Sequence, residues 1–218
     1  MGTKKLTIPL SEADVRKLDV EDMVYLDGLI FTCRSLFQIR ALERDILPPI
    51  DFQRMNVMLH MGGMMKKAEK GWLVSNMSCT SSIRFEKLSG PIINKLGIRA
   101  IIGKSTMGSK TMQVMKEVGC VHLSLGASMG NILARNVSRV VEVHNLDELG
   151  MLEATWVLEV EKFGPLIVDI DANGNNLFRR VRVEVHKKLE AAYEKYERAG
   201  PPAHCRRREA ARRMACQA

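Results

Sequence analysis

Ile98-Arg99-Ala100-Ile101-Ile102-Gly103-Lys104, followed by Met107 to Val118, Gly119 and Cys120 to Leu125, is the stretch that decides the fold. Ile98 to Ile102 reads as an apolar strand ended by Gly103. Met107 to Val118 reads as a helix with Gly119 as its stop. Cys120 to Leu125 is a second apolar strand. It leads into Gly126-Ala127-Ser128-Met129-Gly130, a small-residue loop that opens another helix. Strand–helix alternation of this kind marks an α/β domain.

The flanking segments add strands of another character. Ile8-Pro9-Leu10 is extended, and Ser11-Glu12-Ala13-Asp14 resembles a capping box opening a short helix to about Leu18. Met23 to Leu26 and Leu29 to Thr32 read as strands around the hairpin turn Asp27-Gly28. A helix begins at Arg34, with Leu36, Ile39, Leu42 and Ile46 at helical spacing, and Pro48-Pro49 stops it. Asn56 to His60 and Trp72 to Ser75 are strands, and a helix runs through Phe85 and Ile92 to Leu96. Val137 to Val143 is a strand. Ala154 to Val160 and Leu166 to Ile170 are two more, joined by Phe163-Gly164-Pro165. Asn173-Gly174 is a turn, and Val181 to Arg198 is an amphipathic helix. The expectation is an α/β domain over residues 1–199, with a mixed sheet and helices packed on one side. Residues 200–218 form a basic, mobile tail after the Gly200-Pro201-Pro202 break.

Composition narrows the function classes. At 218 residues, 46% hydrophobic and 27% charged, the chain resembles an ordinary globular protein. No apolar run is long enough to span a bilayer, and Met1 to Lys5 lacks the apolar stretch of a signal peptide, so the expected compartment is the cytoplasm. The five cysteines are widely spaced with no C-x-x-C pair. They suit reduced thiols rather than a disulfide frame, zinc site or self-contained iron–sulfur site. The net charge of +8 fits an anionic substrate or an acidic partner as well as nucleic acid. No aromatic residue interleaves with the arginines of the tail, which argues against a nucleic-acid platform.

Three strand-to-helix turns carry polar residues: Thr32-Cys33-Arg34, Thr80-Ser81-Ser82-Ile83-Arg84 and Gly103-Lys104-Ser105-Thr106. Such turns are where α/β proteins put ligands. A helix N-terminus favours an anion, and an arginine fork matches a carboxylate. Together two arginines and a lysine suit a small dianion. Taken singly, each turn is better explained by a hydroxyl capping a helix beside a solvated cation; the three together weigh the two readings evenly. A Walker loop is excluded: five residues, not four, separate Gly97 from Gly103-Lys104, and those five are the strand itself. The loop at Gly126 is not G-x-G-x-x-G. His60, beside Gly62-Gly63, is the only histidine expected near a site. The methionines, Met64 and Met65 among them, read as core or partner surface.

Several segments carry a family resemblance. Glu148-Leu149-Gly150-Met151, Trp156 to Val160, Phe163-Gly164-Pro165 and Asp171-Ala172-Asn173-Gly174-Asn175 resemble the closing segment of class I (iron–sulfur) fumarases. More broadly they resemble the β subunit of the fumarase and L(+)-tartrate dehydratase family. Leu6 to Arg40, Thr80 to Arg84 and Gly103-Lys104 match it in order, so the resemblance covers about Leu6 to Leu177. It implies a swivelling three-layer β/β/α domain and a hydro-lyase acting on a short dicarboxylate. It also implies a [4Fe-4S] cluster carried by a separate α subunit, none bound by this chain alone, and a homodimer or α2β2 assembly. By resemblance Arg34, Ser81, Arg84 and Lys104 bind the substrate carboxylates, and Thr80 and Lys104 are catalytic.

The chain departs from the family pattern. Ser35 and Gln38 stand where members commonly have Asp and His, Ser105-Thr106 where they tend to Gly-Gly, and Gly63 and Leu152 where they have Pro. These changes bear on substrate identity. They also motivate an alternative, a catalytically inactive relative serving as a scaffold or small-anion-binding subunit. Cys33 and Cys79 sit beside Arg34 and Thr80, and nearby cations are expected to lower their thiol pKa and make the site oxidation-sensitive.

Overall fold

The computed structural model describes residues 1–126 and 129–199, with side chains through 196. In chain order the elements are β1 (Thr3–Thr7), α1 (Glu12–Val15), β2 (Met23–Thr32), α2 (Ser35–Glu43), β3 (Val57–Leu59), β4 (Met64–Lys67) and β5 (Trp72–Asn76). A 3-10 turn (Ser82–Phe85) leads into α3 (Glu86–Leu96), β6 (Ala100–Gly103), α4 (Ser109–Val118), β7 (Val121–Ser124) and α5 (Gly130–Ala134). Then come β8 (Val137–His144), α6 (Leu146–Glu153), β9 (Thr155–Ile170) and α7 (Leu177–Ala199). Residues 1–177 form one compact unit, and α7 continues beyond it. The expected tail, 200–218, lies outside the described residues, as do Ala127 and Ser128 of the small-residue loop.

The expected α/β architecture with a mixed sheet is present. Seven strands lie in the order β1-β2-β3-β6-β7-β9-β8, and β4-β5 form a separate hairpin. β1, β2, β3, β6 and β7 pair in parallel. β9 runs antiparallel to β7, β8 and β2, so the pairings from β2 through β3, β6, β7 and β9 return to β2. Alternation along the strands sorts the core onto two faces. Val57, Leu59, Ala100, Ile102, Val121, Leu123 and Leu158 pack on one face with Trp156 and Phe163. Met58, Ile101 and Val157 point to the other, against Phe37, Ala41, Ile92, Ile93, Met112 and Met115 of α2, α3 and α4.

Several local expectations are met. Ser11 caps α1, its hydroxyl accepting from Asp14 N–H. Gly97 and Gly119 take left-handed conformations after α3 and α4. Others are corrected. The expected hairpin at Asp27-Gly28 is one continuous ten-residue strand, β2. The turn residues there make irregularities in its ladder with β9 instead of a reversal. Asp27 C=O accepts from Ile8 N–H at 2.8 Å, and its carboxylate accepts from Lys162 N–H at 2.6 Å. The break expected at Phe163-Gly164-Pro165 is likewise absorbed into the sixteen-residue β9. A Cβ on Gly164 would lie 2.6 Å from Val24 C=O, so glycine is there for close strand approach. α2 buries Phe37, Gln38 and Ala41, while Leu36 and Ile46 of the expected apolar stripe are exposed. β4 and α6 were not expected.

Candidate active site

Because β2, β3, β6 and β7 are parallel neighbours, their C-terminal ends share one edge. Arg34 follows β2, His60 follows β3, Lys104 follows Gly103 at the end of β6, and Leu125-Gly126 follows β7. The hydroxyl run is laced onto the same edge. Thr80 N–H donates to His60 C=O at 2.7 Å, and Ser82 N–H donates to Lys104 C=O at 2.9 Å. Ser81 and Lys104 form a parallel β-bridge. Thr80 and Ser81 are partly exposed, and Lys104 is exposed. Lys104, Met77, Cys79, Leu125 and Gly130 line a cavity of about 60 Å³.

Beneath this surface lies a polar chain that sequence reading did not assemble. Ser82 Oγ is 3.0 Å from His60 Nδ1 and 2.8 Å from His122 Nε2, and His122 Nδ1 is 2.5 Å from Asp169 Oδ1. All four side chains are 0% exposed. Burial, reinforced by the neighbouring His122, holds the His60 imidazole well below its ordinary pKa, and therefore neutral. A Cβ on Gly103 would stand 1.9 Å from Ser82 Oγ and 3.2 Å from His122 Nε2, so the glycine ending β6 makes room for the chain. Ser82, His122 and Asp169 are connected as in a hydrolytic triad. However, the serine is sealed from solvent between two imidazoles and cannot meet a substrate. His60 was the only histidine expected near the site. His122 and Asp169 were signalled only as polar residues inside the apolar runs Val121-Leu123 and Val168-Ile170.

The other cations have distinct surroundings. Arg34 opens α2, where its Nε lies 3.4 Å from a Glu153 carboxylate oxygen; both side chains are largely buried. Its neighbours extend the tie between α2 and α6. Leu36 N–H donates to Glu153 at 3.0 Å, and Arg40 pairs with Glu148 at 2.8 Å. Arg84 is exposed on the 3-10 turn, its N–H bonded to Ser81 C=O. The N-terminus of α4 is already satisfied, since Glu86 accepts from Gly108, Lys110 and Thr111 N–H groups at 2.7 to 3.1 Å. Ser105 sits at φ +61°, a left-handed conformation that glycine adopts freely. The turn thus keeps a glycine-type backbone at the position where the chain departs from the family's Gly-Gly.

The expectation for the cysteines is overturned. Cys33 and Cys79 are buried, and burial pushes both thiols up. For Cys79 this outweighs the opposing pull of Lys104; for Cys33 the Glu153 carboxylate adds to it. Both side chains are packed in the hydrophobic core, Cys79 on one face of the sheet and Cys33 on the other. Among the described residues no three His, Cys, Asp or Glu side chains are grouped to hold a metal ion, so these residues do not fit an iron–sulfur cluster.

Comparison with known proteins shows the family. The family model described as Fumarase C-terminus matches residues 3–181, and the chain belongs to that family. Its relatives of similar length are β subunits. It is 34% identical over 174 residues to the L(+)-tartrate dehydratase subunit beta of Escherichia coli K12, covering 80% of this chain and 86% of that one. It is 38% identical over 183 residues to a provisionally named L(+)-tartrate dehydratase subunit beta of Methanocaldococcus jannaschii, covering 83% and 93%. A provisionally named class I fumarate hydratase of Geobacillus stearothermophilus is 36% identical over 185 residues, which cover 84% of this chain and 35% of that longer protein. The chain is thus of the β-subunit type within a family of hydro-lyases.

Proposed function

We propose that this chain is the β subunit that grips the carboxylates in a two-component hydro-lyase, which adds water to or removes it from a short dicarboxylate. The observation that carries the reading is the Ser81–Lys104 bridge, which seats the Thr80–Arg84 run against a lysine at the open end of β6. Arg34 stands two strands away, a spacing of about 10 Å, which suits two long cationic side chains reaching opposite ends of a four-carbon diacid. The cavity at Lys104, about 60 Å³, has room for roughly two waters. A second wall from a partner would complete a site for a diacid.

Dehydration of a 2-hydroxy diacid removes a C–H proton next to a carboxylate, and negative charge spreads onto that group. Lys104 and Arg84 supply fixed positive charge where it develops, and Ser81 donates a hydroxyl. Thr80 is the candidate for handling the proton. A threonine hydroxyl is a weak base and requires the cationic setting that Lys104 provides. The C–O bond breaks as well, and the hydroxyl leaves as water; the Lewis acid that assists its departure would be supplied by the cluster that the family resemblance implies on the partner α subunit, and none of these residues holds it.

The test is reconstitution. The purified chain alone is expected to be inactive on fumarate, malate and L(+)-tartrate, and to gain activity with its α partner. Turnover by the chain alone overturns the subunit reading, and an unchanged pair carrying Arg84→Ala overturns the site. A second reading, a non-catalytic anion-binding scaffold, is favoured by two observations. Arg34 is engaged by Glu153, and the buried Gln38 amide, at a position where members commonly have His, leaves its Nε2 unpartnered. Calorimetric binding of a diacid to the pair without turnover selects that reading.

A further inference from the structure

With Asp169 taken as a carboxylate and both imidazoles as neutral, the buried chain from Asp169 to His60 has one pattern of donors and acceptors. The Asp169 carboxylate only accepts, so His122 carries its proton on Nδ1. His122 Nε2 is then the acceptor, and Ser82 O–H donates to it. Ser82 Oγ in turn accepts from His60 Nδ1–H. That leaves His60 Nε2 as a bare lone pair, and it has no hydrogen-bond partner. The reversed pattern needs an imidazolium at His122 and an unpartnered, fully buried N–H on His60, a costlier orphan than a lone pair.

The chain's middle member belongs to the site's own backbone. Ser82 N–H is bonded to Lys104 C=O, and its neighbour Ser81 bridges to Lys104. Thr80 N–H in turn donates to the carbonyl of His60. Both ends of the hydroxyl run are therefore anchored through residues of one side-chain network that spans β3, β7 and β9. Phe85, at the end of the same turn, packs on the His60 ring at 4.6 Å between centroids.

We propose that Asp169, His122, Ser82 and His60 are positioning residues, one buried hydrogen-bonded relay oriented by the Asp169 carboxylate, which holds the Thr80–Arg84 turn against Lys104 and keeps His60 Nε2 bare. The relay rests on the proposed hydro-lyase function for its purpose but not for its existence. Its members touch no substrate. They act by keeping Thr80 and Lys104 in register, where a displacement of about 1 Å costs about 100-fold in rate.

Two readouts test it separately. Nitrogen-15 spectra of the full chain with labelled histidine are expected to show His60 and His122 both as Nδ1–H tautomers. Asp169→Asn is expected to shift the His60 signals, although the two residues do not touch. A purely packed arrangement would leave His60 unmoved. In the reconstituted pair, Ser82→Ala is expected to lower kcat about 100-fold while KM changes by less than about threefold. An Nε2–H tautomer at His60, or His60 signals indifferent to Asp169→Asn, overturns the relay. Wild-type kcat in the Ser82→Ala pair overturns its positioning role. A wild-type pair with no turnover on any diacid, with the His60–Asp169 coupling intact, overturns the hydro-lyase reading and leaves the relay standing as structure.

Discussion

Arg34 follows β2 and Lys104 follows the end of β6, two cations on one edge of the parallel strands with only β3 between them. Arg34 is largely buried and its guanidinium faces Glu153 from α6, so much of its charge is spent inside the protein. Lys104 is exposed over a cavity, and its backbone is fixed by the Ser81 bridge and by Ser82 N–H. The difference teaches that a cation at a strand end is only an opportunity. The side chains that arrive from elsewhere decide whether it serves the fold or a ligand.

The comparison breaks most sharply at Lys104. Lys104→Ala is expected to lower kcat/KM of the reconstituted pair about 100-fold or more, while the unfolding free energy of the chain changes by under about 0.5 kcal/mol. Activity within about threefold of wild type would put Lys104 outside the machinery. The next largest effect lies under the same edge. His60 is neutral in the fold because burial lowers its pKa, whereas in the unfolded chain it takes a proton below pH about 6.5. Its neutrality is therefore stabilising above that value, and stability is lost as pH falls below it. Going from pH 7 to 5 is expected to lower the unfolding free energy through this group. His60→Asn should flatten the pH dependence of the unfolding free energy below pH about 6.5, and an unaltered slope would show that His60 does not carry it.

Arg34 sharpens the comparison from the other side. A double-mutant cycle with Arg34→Ala and Glu153→Ala is expected to give a coupling of about 1 kcal/mol in unfolding free energy, since the pair is partly buried. A coupling near zero would return Arg34 to the role of a ligand-facing cation equal to Lys104. The smallest effect is expected at Ser105. Its positive φ makes Ser105→Gly neutral or stabilising by up to about 1 kcal/mol, measured by thermal unfolding, with activity retained. A clear loss of stability would mean that the side chain, not the backbone conformation, is what the turn requires.

Legibility from sequence followed locality. The Ile98–Leu125 alternation was readable because each strand is short, apolar and buried, and each helix ends on a glycine that takes the left-handed conformation it needs. Asp27-Gly28 and Gly164-Pro165 misled because a bulge or close approach within a long strand uses the same residues as a turn. α2 was placed correctly but on the wrong face, because its partners, α3 and the Phe31 side of the sheet, are set by chain segments far away. α6 has no strong local signal; its Gly150 interrupts the helical backbone, and ion pairs from α2 tie it down. At the site the run Thr80–Arg84 and Lys104 were visible as residue types. Cys33 and Cys79 were misjudged, since a place beside Arg34 or Thr80 in sequence says nothing of how deeply a thiol is buried.

The sequence by itself determined the class of the domain, the order of its central elements and the set of cations and hydroxyls from which a diacid site can be made. Periodicity, caps and glycine stops act within a few residues, so they can be read from them. Only the tertiary structure decided that β9 closes back onto β2, that Glu153 claims Arg34, and that Ser82 joins His60, His122 and Asp169 beneath Lys104. Even the nearest of these partners, His60 and Ser82, are 22 positions apart in the chain. Hydrogen bonds and ion pairs reach only a few ångströms, so partners this distant in sequence meet only when the strands that carry them are side by side.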